Sequence, residues 1–392
     1  MEYAQPIMIG PDFCIAHNGT ISNLEELFQV VRGPGEVPPG VNDTRLVGER
    51  LLALLKEKEG DWFASFEILT RELDGAYCFL LITKDDEILA ARDTKGFRPL
   101  SLGWHEPTRS YLVASESIAF YVVGAKLVRD LEPGEVVRLS SEGIQSKILA
   151  VDTAPSHCTF EYTYFAHPSS VLQGINVYQA RKEIGRLLAR KYPLDGDIVI
   201  PVHDSARPAA LGYSEASRIP FEEGLMKDRY GRRGGIRSFI EPTQRDREEI
   251  NRWVVAVKPI VEGKHVIVID DSIVRGTSSR WIGRTLRAGG ARRVSLLLTF
   301  PPIRFPCYMG IDFPSQEELL AFRVGGMDAS LEEINARAAE AIGVDFVGYN
   351  DLATLSQGIG VPPNSLCSSC VTGDYSCLKK PPIFKSREQM KG

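Results

Sequence analysis

The chain has 392 residues, more than one ordinary hydrophobic core accommodates, so two domains are expected. Hydrophobic residues at 43% and charged residues at 25% are ordinary globular values. A net charge of −5 argues against nucleic acid or an anionic membrane as the main partner, and no apolar run reaches the ~20 residues needed to cross a bilayer.

The opening segment, MEYAQPIMIG, has no basic region ahead of its apolar stretch, so a cytoplasmic protein is expected. The seven cysteines then read as thiols or metal ligands rather than a disulfide scaffold. FCIAHNG, YCFLLIT, ILAARD and YLVASES are short apolar runs bounded by turn residues, and they predict strands. One helix is predicted among them, from Arg45 to about Lys58, with Leu46, Leu51, Leu54 and Leu55 on one side. After LEPGEVVRLSSEG the strand signals stop, and DTAPSHC (152–158) reads as a linker.

Beyond it the pattern changes. GDIVIPV, HVIVID and RVSLLLTF are near-continuous apolar runs, as in strands covered on both faces. Helical patterns separate or follow them: INVYQARKEIGRLLARKY, ALGYSEASR, SRWIGRTLRAGGA and SLEEINARAAEAIGV. Strands alternating with helices predict an α/β domain on an open, mainly parallel sheet, with ligands at the C-terminal strand ends. The last residues, PPIFKSREQMKG, read as a loose tail. The expected divisions are 1–151, 152–360 and a tail of 361–392.

HVIVID ends in two acids, Asp270 and Asp271, and runs into SIVRGTSS and a helix from about Ser279. A glycine-bearing loop feeding a helix N-terminus offers backbone N–H groups and a positive dipole end to a phosphate. Gly276 lets the backbone approach closely, and Thr277, Ser278 and Ser279 add hydroxyl donors. Paired carboxylates at a strand end suit ribose hydroxyls or a hydrated magnesium ion. An acid pair that merely caps a helix is the plain alternative for the two aspartates alone.

The whole segment VIVIDDSIVRGTSSR resembles the type I phosphoribosyltransferases and, most closely, the glutamine phosphoribosylpyrophosphate amidotransferase family. The likeness extends through PVHDSARPAALGYSEASRIPFEEGLMKDRY, FIEPTQRDRE, FPPIRFPCYMGIDFPSQEELLA and GYNDLATL. It implies that Asp270 and Asp271 hold the ribose hydroxyls and, with Ser205, a Mg2+ ion. It implies that Ser272, Ile273, Val274, Arg275, Gly276, Thr277, Ser278 and Ser279 hold the 5′-phosphate. Lys227 and Arg229 would begin a mobile loop that closes over phosphoribosyl pyrophosphate. The stretch GRRGGIR (231–237), with Arg232, Arg233 and Arg237, is longer and more basic than the family's usual loop.

Cys367-Ser-Ser-Cys370 is a natural chelate, and SHCTFEYTYFAHP and FPCYMGID resemble the iron–sulfur branch of the same family. That likeness implies a 4Fe–4S cluster on Cys158, Cys307, Cys367 and Cys370, structural or regulatory in duty. Four thiolates can also bind tetrahedral zinc, which stays open as the second reading. Cys377 is unassigned, and Cys14 and Cys78 lie in apolar strands and read as core residues.

AHNGTISNLEEL, VNDTRLVGERLLALL, ELDGAYCFLLI and RDTKGFRPLSLG resemble the glutaminase domain of N-terminal-nucleophile amidotransferases, an α+β sandwich. The resemblance implies Asn18 and Gly19 as an oxyanion hole and Asp43 as the carboxylate for the glutamine α-ammonium. That family works through a cysteine at its mature N-terminus, whereas this chain begins at Met1 just before AQPIMI. A truncated glutaminase sandwich and an ammonia-dependent transferase are therefore expected. The activity implied is formation of 5-phosphoribosylamine, the first step of purine synthesis, by a homo-oligomer using glutamine or ammonia. A non-catalytic phosphoribosyl pyrophosphate or nucleotide sensor on the same fold is the alternative.

Overall fold

Segments whose apolar residues alternate or run unbroken become strands. In the computed structural model, which describes residues 4–149, 154–227, 254–311, 313 and 315–381, six early strands form one antiparallel sheet. Its order is Ile7–Ile9, Phe13–Ile21, Gly75–Thr83, Ile88–Arg92, Glu135–Ser140 and Gly143–Ile148. One face carries Ile9, Ile15, Phe79, Leu81 and Leu89 against Leu51, Leu54, Phe66 and Leu69 of the helices Asp43–Glu57 and Trp62–Glu72. The other carries Cys78, Ala90, Val137 and Leu139 against Leu100, Leu102 and Leu131. Leu102 belongs to a second antiparallel sheet, ordered Ser110–Ala114, Ser101–His105 and Lys126–Asp130. The half is thus a helix–sheet–sheet sandwich.

Three expectations need correction here. The predicted helix is present as Asp43–Glu57, with Asn42 Oδ1 accepting from the Arg45 N–H, but Leu24–Arg32 and Trp62–Glu72 are helical too. WFASFEILTRE is rich in aromatic and β-branched residues, and packing of Phe66 and Leu69 against the sheet overrides that local preference. Strand signals do not stop at Gly143, for Gly143–Ile148 pairs as an edge strand; exposed Gln145 and Lys147 hide it from a hydrophobicity reading. Cys14 is half-buried rather than core, because its register partners Met8 and Ile82 lie on an open part of the sheet, 61% and 55% exposed. Cys78 is core as expected.

The later half is built on a four-stranded parallel sheet, ordered Ile198–Pro201, His265–Asp270, Arg293–Leu298 and Phe346–Tyr349. Period-two alternation along the second strand feeds two cores. Val266 and Val268 pack with Ile282, Leu286 and Ile334, while Ile267 and Ile269 pack with Ala209, Ala210 and Tyr213 on the opposite face. Helices Thr277–Ala288 and Leu331–Ile342 therefore cover one side, and Arg207–Ser217 covers the other. Val177–Lys191 lies against Arg207–Ser217 through two glycines. A Cβ on Gly185 would stand 1.9 Å from the Ala209 carbonyl oxygen, and one on Gly212 would stand 1.9 Å from that of Lys182.

The segment expected to be a free linker is structured where it is described. His157–Cys158 pairs in parallel with Leu366–Cys367, and the Ser156 and Cys158 N–H groups donate to the Lys95 and Phe97 carbonyls. Glu116 accepts from the His167 N–H and the Ser170 hydroxyl at 2.6 and 2.8 Å. The last described residues return to the first half: the Lys379 N–H donates to Asp74 at 2.8 Å, and its ammonium donates to the Leu73 carbonyl, closing a helix C-terminus. Of the segment read as a loose tail, 382–392 lie outside the described residues.

Candidate functional site

The acid pair stands where parallel-sheet physics puts a ligand, at the C-terminal end of the His265–Asp270 strand. Asp270 Oδ1 accepts from the Asp271 N–H at 2.8 Å, and the Asp271 carboxylate accepts from Ser205 Oγ at 2.6 Å and Ser272 Oγ at 2.9 Å. Three segments thus meet on one carboxylate: the strand end, its loop and the loop after Ile198–Pro201. Both aspartates are 7% exposed. Burial, and then the charge of Asp271, push the Asp270 carboxyl well above the usual range. Burial raises Asp271 as well, against the lowering influence of Ser205, Ser272 and the buried guanidinium of Arg181. The pair is short of positive charge, which a divalent cation or a ligand's hydrogen-bond donors would supply.

The loop then turns at Gly276, whose φ of +83° is left-handed, and the helix starts at Thr277, two residues earlier than expected. Ser279 is buried at the first turn, while Thr277 and Ser278 remain partly accessible. Of the segment 272–279, Ile273 and Val274 turn their side chains into the cores, so only their backbone can serve a phosphate. Arg275 is drawn aside by Glu318, with Nε donating at 2.6 Å. The loop's base is fixed by the Leu320 N–H, which donates to the Val274 carbonyl at 2.8 Å.

Beside Ser205, His203 Nε2 and Arg207 Nε stand 2.9 and 3.0 Å from the two oxygens of Glu223, which ties the loop after Ile198–Pro201 to its neighbour. Lys227 ends the strand Leu225–Lys227, paired antiparallel with Val254–Ala256. Arg229, Arg232, Arg233 and Arg237 lie outside the described residues. Arg181 was not singled out from sequence. It reads as one more charge on an amphipathic helix, yet it is 2% exposed and donates to the Tyr162 and Ala166 carbonyls. Burial lowers its pKa to about 10.

In the sandwich half, Asn18 and Gly19 lie in Phe13–Ile21, and Gly19 (φ +150°) is so close to its neighbour that a Cβ would meet the Ala76 carbonyl oxygen at 2.0 Å. Asn18 Nδ2 donates to Ser115 Oγ at 3.5 Å. Asp43 opens the helix Asp43–Glu57 and accepts from the Ile21 N–H at 3.3 Å. His17, also not singled out, links the two: its Nδ1 is 3.6 Å from Asp43 Oδ2, with its side chain 2% exposed. Burial acts to raise the Asp43 carboxyl, but His17 and backbone N–H groups prevail and hold it below the usual range. Alternation along a strand puts His17 and Gly19 on one face and Asn18 on the other.

The four cysteines expected to act together come from three segments. Cys158 and Cys367 are paired residues of one short parallel ladder, Cys370 follows in the helical turn Ser369–Thr372, and the Arg304 and Phe305 N–H groups donate to the Cys370 carbonyl two residues before Cys307. Burial raises Cys158 to about 12 and Cys370 well above a free thiol, with Cys307 and, for Cys370, Cys158 adding to the rise. Among the described residues no three His, Cys, Asp or Glu side chains close on a single metal-ion position. Arg98 lies against this group from the first half, 3.0 Å from Glu161 Oε1, and its Nη1 donates to the Gly310 carbonyl at 3.2 Å.

A phosphate-type loop on a parallel sheet, joined to a sandwich with an Asn-Gly turn and an acid at a helix start, defines a phosphoribosyltransferase-type domain coupled to a glutamine-amidotransferase-type one. Residues 1–122 match the glutamine amidotransferase domain family. An amidophosphoribosyltransferase of Methanothermobacter thermautotrophicus is 38% identical over 379 residues, spanning 96% of this chain and 76% of the relative. One from Bacillus subtilis is 38% identical over 95% of this chain and 76% of the relative. A solved structure of the B. subtilis glutamine phosphoribosylpyrophosphate amidotransferase with ADP and GMP superposes with a TM-score of 0.81, covering 96% of this chain and 80% of that one. The chain belongs to the amidophosphoribosyltransferase family and is a glycosyltransferase of that family.

Proposed function

We propose that this chain forms 5-phosphoribosylamine from phosphoribosyl pyrophosphate and an ammonia source, the first step of de novo purine synthesis. The observation that carries the reading is the buried Asp270–Asp271 pair, hydrogen-bonded to Ser205 and opening onto the left-handed Gly276 loop and a helix N-terminus. The carboxylates take the ribose hydroxyls, and the N–H groups and hydroxyls of 276–279 take the 5′-phosphate. Ser205, Asp270 and Asp271 are the residues proposed to hold a Mg2+ ion, whose charge would offset the pyrophosphate leaving group. Lys227 and Arg229 are assigned to closing the site over the substrate. Fixed negative charge beside the ribose stabilises an oxocarbenium-like centre at C1 while the amine attacks.

Ammonia is the proposed amine. Among the described residues of the sandwich, the Cys78 thiol does not suit a nucleophile: it donates to the Arg98 and Pro99 carbonyls, and burial raises it to about 12. Asn18, Gly19 and Asp43 remain the proposed glutamine-side contacts. The test is pyrophosphate release from phosphoribosyl pyrophosphate and Mg2+ with either ammonium chloride or glutamine. Release with ammonium supports the reading, and release with neither defeats it. Binding without turnover would instead favour the sensor alternative.

Cys158, Cys307, Cys367 and Cys370 are proposed to hold a 4Fe–4S cluster. A single zinc ion needs its ligands gathered on one point, whereas a four-iron cluster takes each thiolate on its own iron across a wider cage. Broad visible absorption with iron in the anaerobically purified protein supports the cluster, and stoichiometric zinc without it overturns it. A homo-oligomeric, cytoplasmic enzyme under purine-nucleotide control completes the proposal.

A further inference from the structure

Cys377 is used by none of these roles, yet it is not an isolated thiol. After Cys367 the chain makes the helical turn Ser369–Thr372, reverses at Gly373 (φ +75°) and comes back, which places Cys377 against Cys367. Ser369 Oγ lies 3.6 Å from Cys367 Sγ and 3.7 Å from Cys377 Sγ, so one hydroxyl bridges both. Both cysteines are half-buried, packed at the edge of a buried cluster. The reversal is fixed from both sides. A Cβ on Gly373 would stand 2.7 Å from the Phe305 ring, and Tyr375 and Leu378 are buried on either side of Cys377.

We propose that Cys367 and Cys377 form an oxidation site, which a peroxide converts to an intramolecular disulfide. One thiolate attacks the peroxide O–O bond, giving a sulfenic acid and releasing hydroxide. The second thiol then displaces the sulfenic oxygen as water, so two thiols and one hydrogen peroxide give one disulfide and two waters. Both sulfurs lie against one hydroxyl, from which side-chain rotation brings them together for the bond. The bond takes Cys367 out of any metal-ligand set, so oxidation and metal occupancy at this residue are mutually exclusive. It also staples the segment that carries Lys379 onto Asp74 and Leu73, and so acts on the seam between the two halves.

The test uses the full chain, treated with a chelator and exposed to hydrogen peroxide, then alkylated and cut before Asp374. That cut separates Cys367 and Cys370 from Cys377. The expected result is a covalent peptide pair joined through Cys367 and Cys377, with both thiols lost from the alkylated pool. In Cys377→Ser the pair is absent and Cys367 becomes alkylatable again, while Cys370→Ser retains the pair. Full alkylation of Cys367 and Cys377 after peroxide overturns the proposal, as does a Cys367 bridge to Cys158 or Cys370 in its place. Protein reconstituted with iron is expected to resist cross-linking until its iron is released, and a cross-link formed with iron retained refutes the exclusivity. The chelated arm does not depend on the cluster assignment, so the two ideas fail separately.

Discussion

Asp271→Asn separates the work of the acid pair from its cost. The wild-type carboxylate accepts from Ser205 and Ser272 on its two oxygens, which leaves each oxygen a further lone pair for a ligand. Asparagine keeps the shape and one acceptor oxygen but removes the charge. A hydrogen bond to a charged group contributes about 1.5–3 kcal/mol, so kcat/KM for phosphoribosyl pyrophosphate should fall about 10- to 150-fold. Stability should move the other way. Folding raises both carboxyl pKa values, so ionised aspartates here oppose the fold as pH climbs from the unfolded value of about 4 through the raised native values. The variant should melt about 2–4 °C higher at neutral pH, for roughly 1 kcal/mol relieved in a domain of this size. That gain should vanish below about pH 4, where both states are protonated. Pyrophosphate release with ammonium chloride and thermal melts across pH measure the two effects. A loss of activity below about threefold, or a variant that melts several degrees lower at neutral pH, would refute the reasoning.

Gly276→Ala puts a side chain at φ +83° with its Cβ 3.1 Å from Leu320 Cδ2. The left-handed conformation costs about 1–2 kcal/mol, read as a lower urea midpoint together with weaker substrate binding. Glu161→Gln leaves Arg98 buried without its countercharge, and equilibrium unfolding should show a loss of about 3–5 kcal/mol. Gly310→Ala would set a Cβ 2.8 Å from Gly19 Cα at the seam between the halves. Hydrogen exchange of the amides in 17–20 should quicken, while those of the His265–Asp270 strand keep their wild-type rates.

Three strands of the parallel sheet were legible because GDIVIPV, HVIVID and RVSLLLTF are apolar runs covered on both faces, whereas the four-residue fourth strand, Phe346–Tyr349, carries no such run. The phosphate loop was legible because its glycine and hydroxyls serve the backbone locally. What escaped depends on contacts distant in sequence. Trp62–Glu72 looks strand-forming until the sheet it packs on is built, and Gly143–Ile148 is held by pairing with Glu135–Ser140 rather than by its own hydrophobicity. Arg181 and His17 look like ordinary polar residues, and only folding brings one behind Asp271 and the other beside Asp43. The close approach of Gly310 to Gly19 has no signal in either segment alone, since a glycine's missing side chain names no partner.

The same seam explains why the cysteines matter beyond any metal. Cys158 follows directly on residues bonded to Lys95 and Gly96, Cys307 lies on the loop that Arg98 grips, and the Cys367–Cys377 segment ends on Asp74. Hydrogen bonds thus tie the segment of each of these thiols to the sandwich. The central claim, though, rests on the acid pair and its loop. Phosphorus NMR of the purified chain with phosphoribosyl pyrophosphate, Mg2+ and ammonium chloride tests it most directly. The account predicts steady loss of the substrate signals with matching growth of free pyrophosphate, abolished when Asp270 and Asp271 are both replaced by asparagine. Substrate that persists unchanged beside the wild-type protein would contradict it.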